Sequence, residues 1–572
     1  MSLEGDSIVF ENSVSDKTEP ALFNEKKYNF ITDSTSNSGQ FSSGQIQFDL
    51  ATFSSQNWVS LSESVIEFPV KITAQLTTAG AGGTPGTQSA GIFAAVCKSG
   101  YHQWFNSAQL ILNGQTIQSQ QPYENVSASY RILKNWSQDT LNKWGVSCGV
   151  ALDDITGDSE VATAYNTGVG LNNVPYSTVA TSIRGFDAVN NQSTLYNKGV
   201  IKRAQNINSN IVNTTFGGRT IGAAGYKNAG KSNVGVASAS NSATTTLHTQ
   251  FIMATVRLKD LFDIDQIPLC KNIKGYLYLT FNSFQVQLTG GLNASGTITA
   301  VNATPLTGLT CPFNVIYDSN GGVQMSNAAT STAPVITIVG SIDGTSTNAV
   351  GSSGPLLSNA RLVMPYYTAN PRTDSALSKV QRFKTLEKIV NPFSMTAGET
   401  KNFTITVGVA NPTKLVLLPM YQNLGGASYL SNPEVSPFDT VPASSSPFAK
   451  LDNIQVYIAN KPLFQYPIQY DYEHWIMNGV QEGANAGLVD EMTSGLLSQQ
   501  LWEQNHRYYV FDLSRRLESD NGMSRSVQIS CTNGSPVSPD GSNAGFGMKV
   551  IAILFYEKNW EINTATCAIQ ST

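Results

Sequence analysis

The sequence predicts an all-β protein built from two halves of related plan, and three observations lead there. Apolar and polar residues alternate through most of the hydrophobic segments, the period of strands with one face buried. Helical spacing is confined to two short stretches. One strand-and-turn unit also occurs twice, as Ala108-Gln109-Leu110-Ile111-Leu112-Asn113-Gly114 and as Ile454-Gln455-Val456-Tyr457-Ile458-Ala459-Asn460. Each copy soon leads into a segment with helical spacing, and such a repeat governs the reading of the whole chain. At 572 residues the chain exceeds one ordinary core, and two large β domains fit as well as several average ones.

Taken in order, residues 1–25 read as a polar N-terminal arm. Ile46, Phe48 and Leu50 then alternate with Gln47 and Asp49, and Ile66, Phe68, Val70 and Ile72 with Glu67, Pro69 and Lys71. Pro69 cannot donate a ladder hydrogen bond, so it is expected at a sheet edge or bulge. Residues 77–91 read as a flexible loop, followed by a hairpin over 108–118. Val126, Tyr130 and Leu133 then share one helical face. From about 145 to 245 the pattern loosens into Gly, Asn, Ser, Ala and Thr, too long for an idle loop in a compact domain. Strands resume near Phe251–Leu261, Tyr276–Phe281 and Val335–Val339. The Gly/Ser-rich stretch at 351–355 is the expected boundary between the halves, giving a first domain over 26–350 and a second over 351–572. Alternation returns in Phe403–Val407, Leu415–Leu418, a 451–464 hairpin, Tyr508–Leu513, Ser526–Cys531 and Met548–Tyr556. A helix is expected over roughly 486–503.

Two landmarks align the halves. Gln109 and Gln455 stand 346 positions apart, whereas the Asp260-Leu261 and Asp512-Leu513 strand ends stand 252 apart. The difference, 94 residues of extra material in the first half, matches the loose 145–245 segment. Strands joined by hairpins, with few helices, make a sandwich or barrel, of which the jelly roll is one solution. About eight strands per half would fit, and an immunoglobulin-like array has the same periodicity.

Charged residues are only 13% of the chain, against about 25% in an average soluble protein. Ser, Thr, Asn, Gln and Gly replace them, a surface suited to packing against copies of itself. With 35 basic and 40 acidic residues there is no basic stripe of the kind that coats nucleic acid. Lys26-Lys27 and Arg515-Arg516 are single solvated pairs. Six scattered cysteines without a CxxC read as reduced, partly buried thiols. The first residues lack a basic start and an apolar run, so no secretory leader is expected. No stretch approaches the roughly 18 apolar residues of a membrane span.

Gly225-Tyr-Lys-Asn-Ala-Gly230-Lys231-Ser232 matches the phosphate-binding pattern G-x-x-x-x-G-K-S, but neither a strand before it nor a helix after it is evident, so it is read as coincidental. His102, His248, His474 and His506 show no metal-ligand spacing. Asp153, Asp154, Asp158 and Glu160 form an acidic cluster without the EF-hand pattern, read as a solvated turn. No G-x-S-x-G elbow occurs. Tyr366-Tyr367 and Tyr508-Tyr509 are read as packing residues. No catalytic, cofactor-binding or metal-binding residue is therefore assigned, and the chain is not expected to be an enzyme.

Several segments resemble the double jelly-roll major capsid proteins of virophages and polinton-like viruses. Thr255-Val-Arg-Leu-Lys-Asp-Leu-Phe-Asp-Ile-Asp-Gln-Ile-Pro268 and Ile273-Lys-Gly-Tyr-Leu-Tyr-Leu-Thr-Phe-Asn282 are similar to that family's strands near the end of the first barrel. Arg361–Tyr367 looks like the opening of the second barrel, Ala397–Phe403 and Pro412–Leu418 like its next two strands, and Phe41–Phe48 like a strand of the first. The order holds over most of 20–560, while 145–245 is not recognisable. The resemblance implies two tandem eight-stranded jelly rolls with a few short helices and a large loop insertion in the first. It implies homotrimers of pseudo-hexagonal outline, tiling an icosahedral shell around a viral DNA genome. The partners implied are the chain itself, through trimer and trimer–trimer contacts, and penton and minor capsid proteins. No sequence-specific nucleic-acid binding, cofactor or transmembrane segment is expected, and location in the virion follows, after synthesis in the host cytoplasm or a viral factory. A carbohydrate- or receptor-binding fibre or lectin and a β-sandwich glycosidase are the competing readings.

Overall fold

A computed structural model describes residues 22–35, 41, 44–50, 57–77, 93–97, 99–152, 204–206, 215–216, 219–220, 244–282, 284–292, 298–305, 312–317, 335–344, 359–422, 450–479, 495–504, 506–514, 522–534 and 547–572. In the first half the strands are β1 (Phe23–Thr32), β2 (Gln45–Asp49), β3 (Val65–Thr77), β4 (Phe105–Leu112), β5 (Gln115–Gln118), β6 (Thr244–Arg257), β7 (Gly275–Phe281), β8 (Val335–Ile342) and β9 (Arg361–Ala369). In the second they are β10 (Val380–Met395), β11 (Thr400–Ala410), β12 (Pro412–Gln422), β13 (Leu451–Ile458), β14 (Lys461–Pro462), β15 (Tyr509–Asp512), β16 (Ser524–Asn533), β17 (Gly547–Asn563) and β18 (Ala568–Ser571). The described residues also include six short α-helices, α1 (Glu124–Asn135), α2 (Gln138–Cys148), α3 (Leu258–Leu261), α4 (Pro371–Leu377), α5 (Tyr472–Gly479) and α6 (Gln499–Gln504), a single 3-10 turn at Tyr101–Trp104, and further short strands of the first half.

The second half shows the plan most simply. One sheet runs β10-β17-β12-β15, with β18 added on β17, and the other runs β11-β16-β13-β14. Numbered from β10, the first strand pairs with the eighth and the second with the seventh. The third lies between the eighth and the sixth, and the fourth between the seventh and the fifth. This is one long antiparallel hairpin rolled so that its two ends meet, the jelly roll. Inward residues from both sheets, among them Leu415, Leu417, Val456, Val527, Ile529 and Leu554, fill a common core.

The first half repeats that order. Here β2-β7-β4-β5 form one sheet, and β3 lies between β6 and the eighth strand. That eighth strand is interrupted: β8 pairs with Val70–Thr77 and β9 resumes along Val65–Glu67, then pairs with β1. Arg361–Ala369, which lies beyond the boundary expected at 351, is thus hydrogen-bonded into the first half. Gln109 and Gln455 both stand on fourth strands; Asp512 closes the sixth strand of the second half, whereas Asp260, expected at a strand end, lies in α3 directly after the sixth strand of the first.

Pro69 departs from its expected edge position. It lies in β3, paired with Met253 of β6 on one side. On the other side it falls in the gap between β8 and β9, where its carbonyl accepts from the Asp343 amide at 3.2 Å. Amide and carbonyl of one strand residue point the same way, so the missing donor coincides with the interruption of the neighbouring strand.

The extra material of the first half is not confined to one insertion. Phe284–Leu292 and Ile298–Pro305, between the seventh and eighth strands, widen the main sheet beyond β8. Phe93–Cys97 pairs with Ala204–Asn206 and with Phe313–Tyr317. These three pieces come from the third–fourth, fifth–sixth and seventh–eighth connections, which an antiparallel roll brings out at one end. Of 153–245 only residues 204–206, 215–216, 219–220 and 244–245 are described, and the loop at 78–91 and the boundary stretch 351–355 lie outside the described residues. In the expected 486–503 helix, residues 486–494 are likewise outside. Gly495 bridges Ser137 instead of coiling, and α6 starts only after Ser498, whose hydroxyl accepts from the Leu501 amide at 3.2 Å.

Candidate functional site

The sequence motifs do not converge. The Gly225–Ser232 match, the acidic cluster at 153–160 and Arg515-Arg516 lie outside the described residues. His102 is buried, shares a hydrogen bond of 2.7 Å with the Ser129 hydroxyl, and is held down to about 4 by burial. His474 bonds Asp471 at 2.5 Å, and His506 is buried elsewhere in the second half. The side chain of His248 is not described. Tyr508 and Tyr509 are buried, and Tyr509 accepts from the Leu451 amide at 2.9 Å. Tyr367 donates to Glu63 at 2.6 Å. Among the described residues, no three metal-ligating side chains gather, and no helix is long and apolar enough to cross a membrane.

What the fold does assemble is a seam between the halves, in which each lends side chains to the other's core. Tyr123, Val126, Tyr130 and Leu133, from the first half, belong to the second core. Phe383, Trp560, Ile562, Cys567 and Ile569, from the second, belong to the first. Tyr130 packs edge-on to Tyr508, centroids 5.4 Å apart, and lies 5.8 Å from Phe555. The Lys414 ammonium stands over both rings, 5.5 Å from Tyr130 and 5.0 Å from Phe555.

Polar groups cross the seam in matched sets. Glu124 opens α1, directly after Tyr123 in the left-handed conformation (φ 59°). Its carboxylate meets the Lys388 ammonium of β10, with neither side chain exposed. Burial pushes Lys388 down to about 8, while the Glu124 charge opposes the shift. The neighbouring Glu387 points to the other face of β10 and accepts from the Ser119 amide at 3.1 Å, from the Tyr556 hydroxyl at 2.7 Å, and from Lys558. Burial alone would raise its carboxyl, but these donors win and hold it below the usual carboxylate range. Leu386 donates its amide to Asp263 at 2.5 Å. Beneath α1, Arg257 forks onto Asp260 at 2.7 and 2.9 Å and stacks 4.5 Å from Trp136, whose indole donates to Asp260 at 3.0 Å. Every charge in these sets faces an opposite charge or a hydrogen-bond donor. The arrangement fixes geometry and presents no base aimed at an open cleft. Sequence reasoning picked out Val126, Tyr130 and Leu133 as one helical face and Tyr508 as a packing residue, but none of the charged pairs across the seam, because their partners are remote in the chain.

The β1 edge is the other distinctive surface. Nine of its ten residues pair with β9, and among the described residues it is paired on that side only; Tyr28 and Phe30 are more than half exposed.

No family model matches the sequence, and no curated protein matches it. Among solved structures, the chain is similar to one in the cryo-EM structure of the Sputnik virophage, with 13% identity, a TM-score of 0.48, and coverage of 96% of this chain and 88% of that one. It is similar to the mavirus major capsid protein at 9% identity and a TM-score of 0.44, covering 98% and 94%. It is similar to the faustovirus major capsid protein at 11% identity and a TM-score of 0.44, covering 96% and 92%.

Proposed function

We propose that the chain is a double jelly-roll major capsid protein. On this reading it forms homotrimers of pseudo-hexagonal outline that tile an icosahedral shell around a DNA genome. The observation that carries the reading is the tandem repeat of one strand order, with the two rolls interlocked through a buried seam. Two rolls fixed in one chain give three copies six similar sides, which closed threefold symmetry can array as a near-hexagon. The sequence resemblance and the low charge of the surface support the same reading.

The divide between the rolls falls at α4, between β9 and β10, and residues before β1 serve as an arm to a neighbouring subunit. The connections gathered at one end of the first roll form an outward tower, since loops there tolerate growth. Trimer–trimer contacts, penton and minor capsid proteins are the partners, the virion is the location, and the chain carries out no catalysis.

The test is the mass of the purified protein by light scattering. A trimer has about 184 kDa, three times the 61.4 kDa chain, and electron micrographs of it show hexagonal outlines. A stable monomer that binds immobilised sugars would overturn the proposal in favour of a lectin.

A further inference from the structure

Cys270 and Cys567 stand 297 positions apart in sequence, on opposite sides of the seam, and their thiols lie side by side in the first core, each shifting the other's titration. Both are free and buried within the first core. Cys270 is pinned to the first half, where its carbonyl accepts from the Val59 amide at 2.9 Å. Cys567 sits in the turn from β17 to β18, its amide donating to Asn563 at 2.7 Å. The flanking chains are tied across the seam as well. The Lys271 amide donates to Thr564 at 2.8 Å, and the Asn272 side chain to Ala565 at 2.9 Å. Two thiols held together from both sides in this way form a preorganised pair.

We infer that Cys270 and Cys567 are a disulfide site that covalently locks the two halves when the protein meets a disulfide oxidant. The pair is chemically biased for it. The Cys270 thiol, which donates to the Pro268 carbonyl at 3.0 Å, is pushed up, while its contact with Cys567 and the Lys274 amide hold the Cys567 thiol below its usual range. Cys567 is therefore the attacking sulfur. As thiolate it attacks one sulfur of a low-molecular-weight disulfide, whose S–S bond breaks and releases one thiol. Cys270 then loses its proton and attacks the Cys567 sulfur, releasing the second thiol. Two protons and two electrons pass to the oxidant, and one S–S bond forms in the protein. Access comes through opening of β18, four residues that among the described residues pair with β17 alone.

Cys531 supplies the contrast. Burial pushes its thiol up to about 12, and its sulfur neighbour is the Met395 thioether at 3.9 Å, which cannot form a disulfide. In a reducing compartment the Cys270–Cys567 pair stays open, and the lock closes on transfer to an oxidising one.

The experiment incubates the full chain with oxidised glutathione, alkylates it under denaturing conditions, and maps tryptic peptides without reductant. Peptides 260–271 and 559–572 are expected joined, at two hydrogens below their summed mass, and separated by dithiothreitol. The oxidised protein should melt several degrees above the reduced one. Cys567→Ser, in the terminal turn, should abolish both effects, whereas Cys531→Ser should leave both intact. The inference is overturned if Cys270 and Cys567 are recovered alkylated, if cross-links spread equally to Cys148 and Cys531, or if a glutathione adduct on Cys567 never resolves.

Discussion

Lys388 and Glu124 form an ion pair with no solvent exposure on either side, one in the first strand of the second roll and the other at the start of α1 in the first. Such a pair contributes little over an apolar pair of the same shape, yet removing one partner strands the other charge in a low dielectric. Glu124→Leu or Lys388→Met alone should cost about 3–5 kcal/mol. The double variant Glu124→Leu/Lys388→Met should recover most of that. Denaturation midpoints over the four proteins give the coupling directly; additive losses would show that the pair does not join the halves.

The same lysine makes stability depend on alkaline pH. Folded, Lys388 releases its proton near pH 8; unfolded, a lysine releases it near about 10.4. Between these values the unfolded chain binds more protons, so stability rises with pH. The melting temperature should climb from pH 8 to pH 10 by more in the native protein than in Lys388→Met. Parallel profiles would refute the assignment.

Glu387 acts at the other end of the scale. Its folded carboxyl is held below its ordinary value by Lys558, Ser119 and Tyr556. The stability it contributes is therefore complete above the usual glutamate range and lost as pH falls through and below it. Glu387→Gln should cost about 1–3 kcal/mol at neutral pH and should flatten the acid limb of the stability curve. An unchanged acid limb would mean that other carboxylates govern it.

Tyr130 reports on whether the halves unfold together. Its ring is buried against Tyr508 and Phe555 across the seam. Tyr130→Ala should cost about 3–5 kcal/mol and split a single calorimetric transition into two. One sharp transition at lower temperature would mean that the remaining seam suffices for cooperativity.

The legible strands were those whose outward residues are small and polar, such as Gln45–Asp49 and Ser524–Asn533. The opening strand of each roll was not legible. Val380–Met395 carries Arg382, Lys384, Glu387, Lys388 and Pro392, and Phe23–Thr32 carries Glu25, Lys26 and Lys27. In β1 those charges face water along a sheet edge, where they discourage further pairing; in β10, Glu387 and Lys388 are buried because the seam supplies their partners. Local periodicity contains no record of a partner some 260 residues away, so nothing in the sequence marked Lys388 as buried. The short helices α2 and α5 were missed for a related reason, since tertiary packing rather than a long apolar stripe holds them. The seam thus lay beyond the sequence, while the repeat that frames it did not.

The paired hairpins that first marked the repeat differ in one chemically testable place. Both turns place two residues in the left-handed region, Asn113 (φ 47°) with Gly114 (φ 80°), and Ala459 (φ 48°) with Asn460 (φ 64°). This turn suits the twist of the flanking strands, and asparagine and glycine adopt it readily. Alanine does not, because its Cβ crowds the carbonyl in that region, at about 1–2 kcal/mol. Ala459→Asn, making the second turn more like the first, should raise stability by about 0.5–1 kcal/mol, read as a higher denaturation midpoint at unchanged slope. Ala459→Val, with a branched side chain in the same conformation, should lower it. If Ala459→Asn were neutral or destabilising, the left-handed conformation at residue 459 would not be the one the protein adopts in solution.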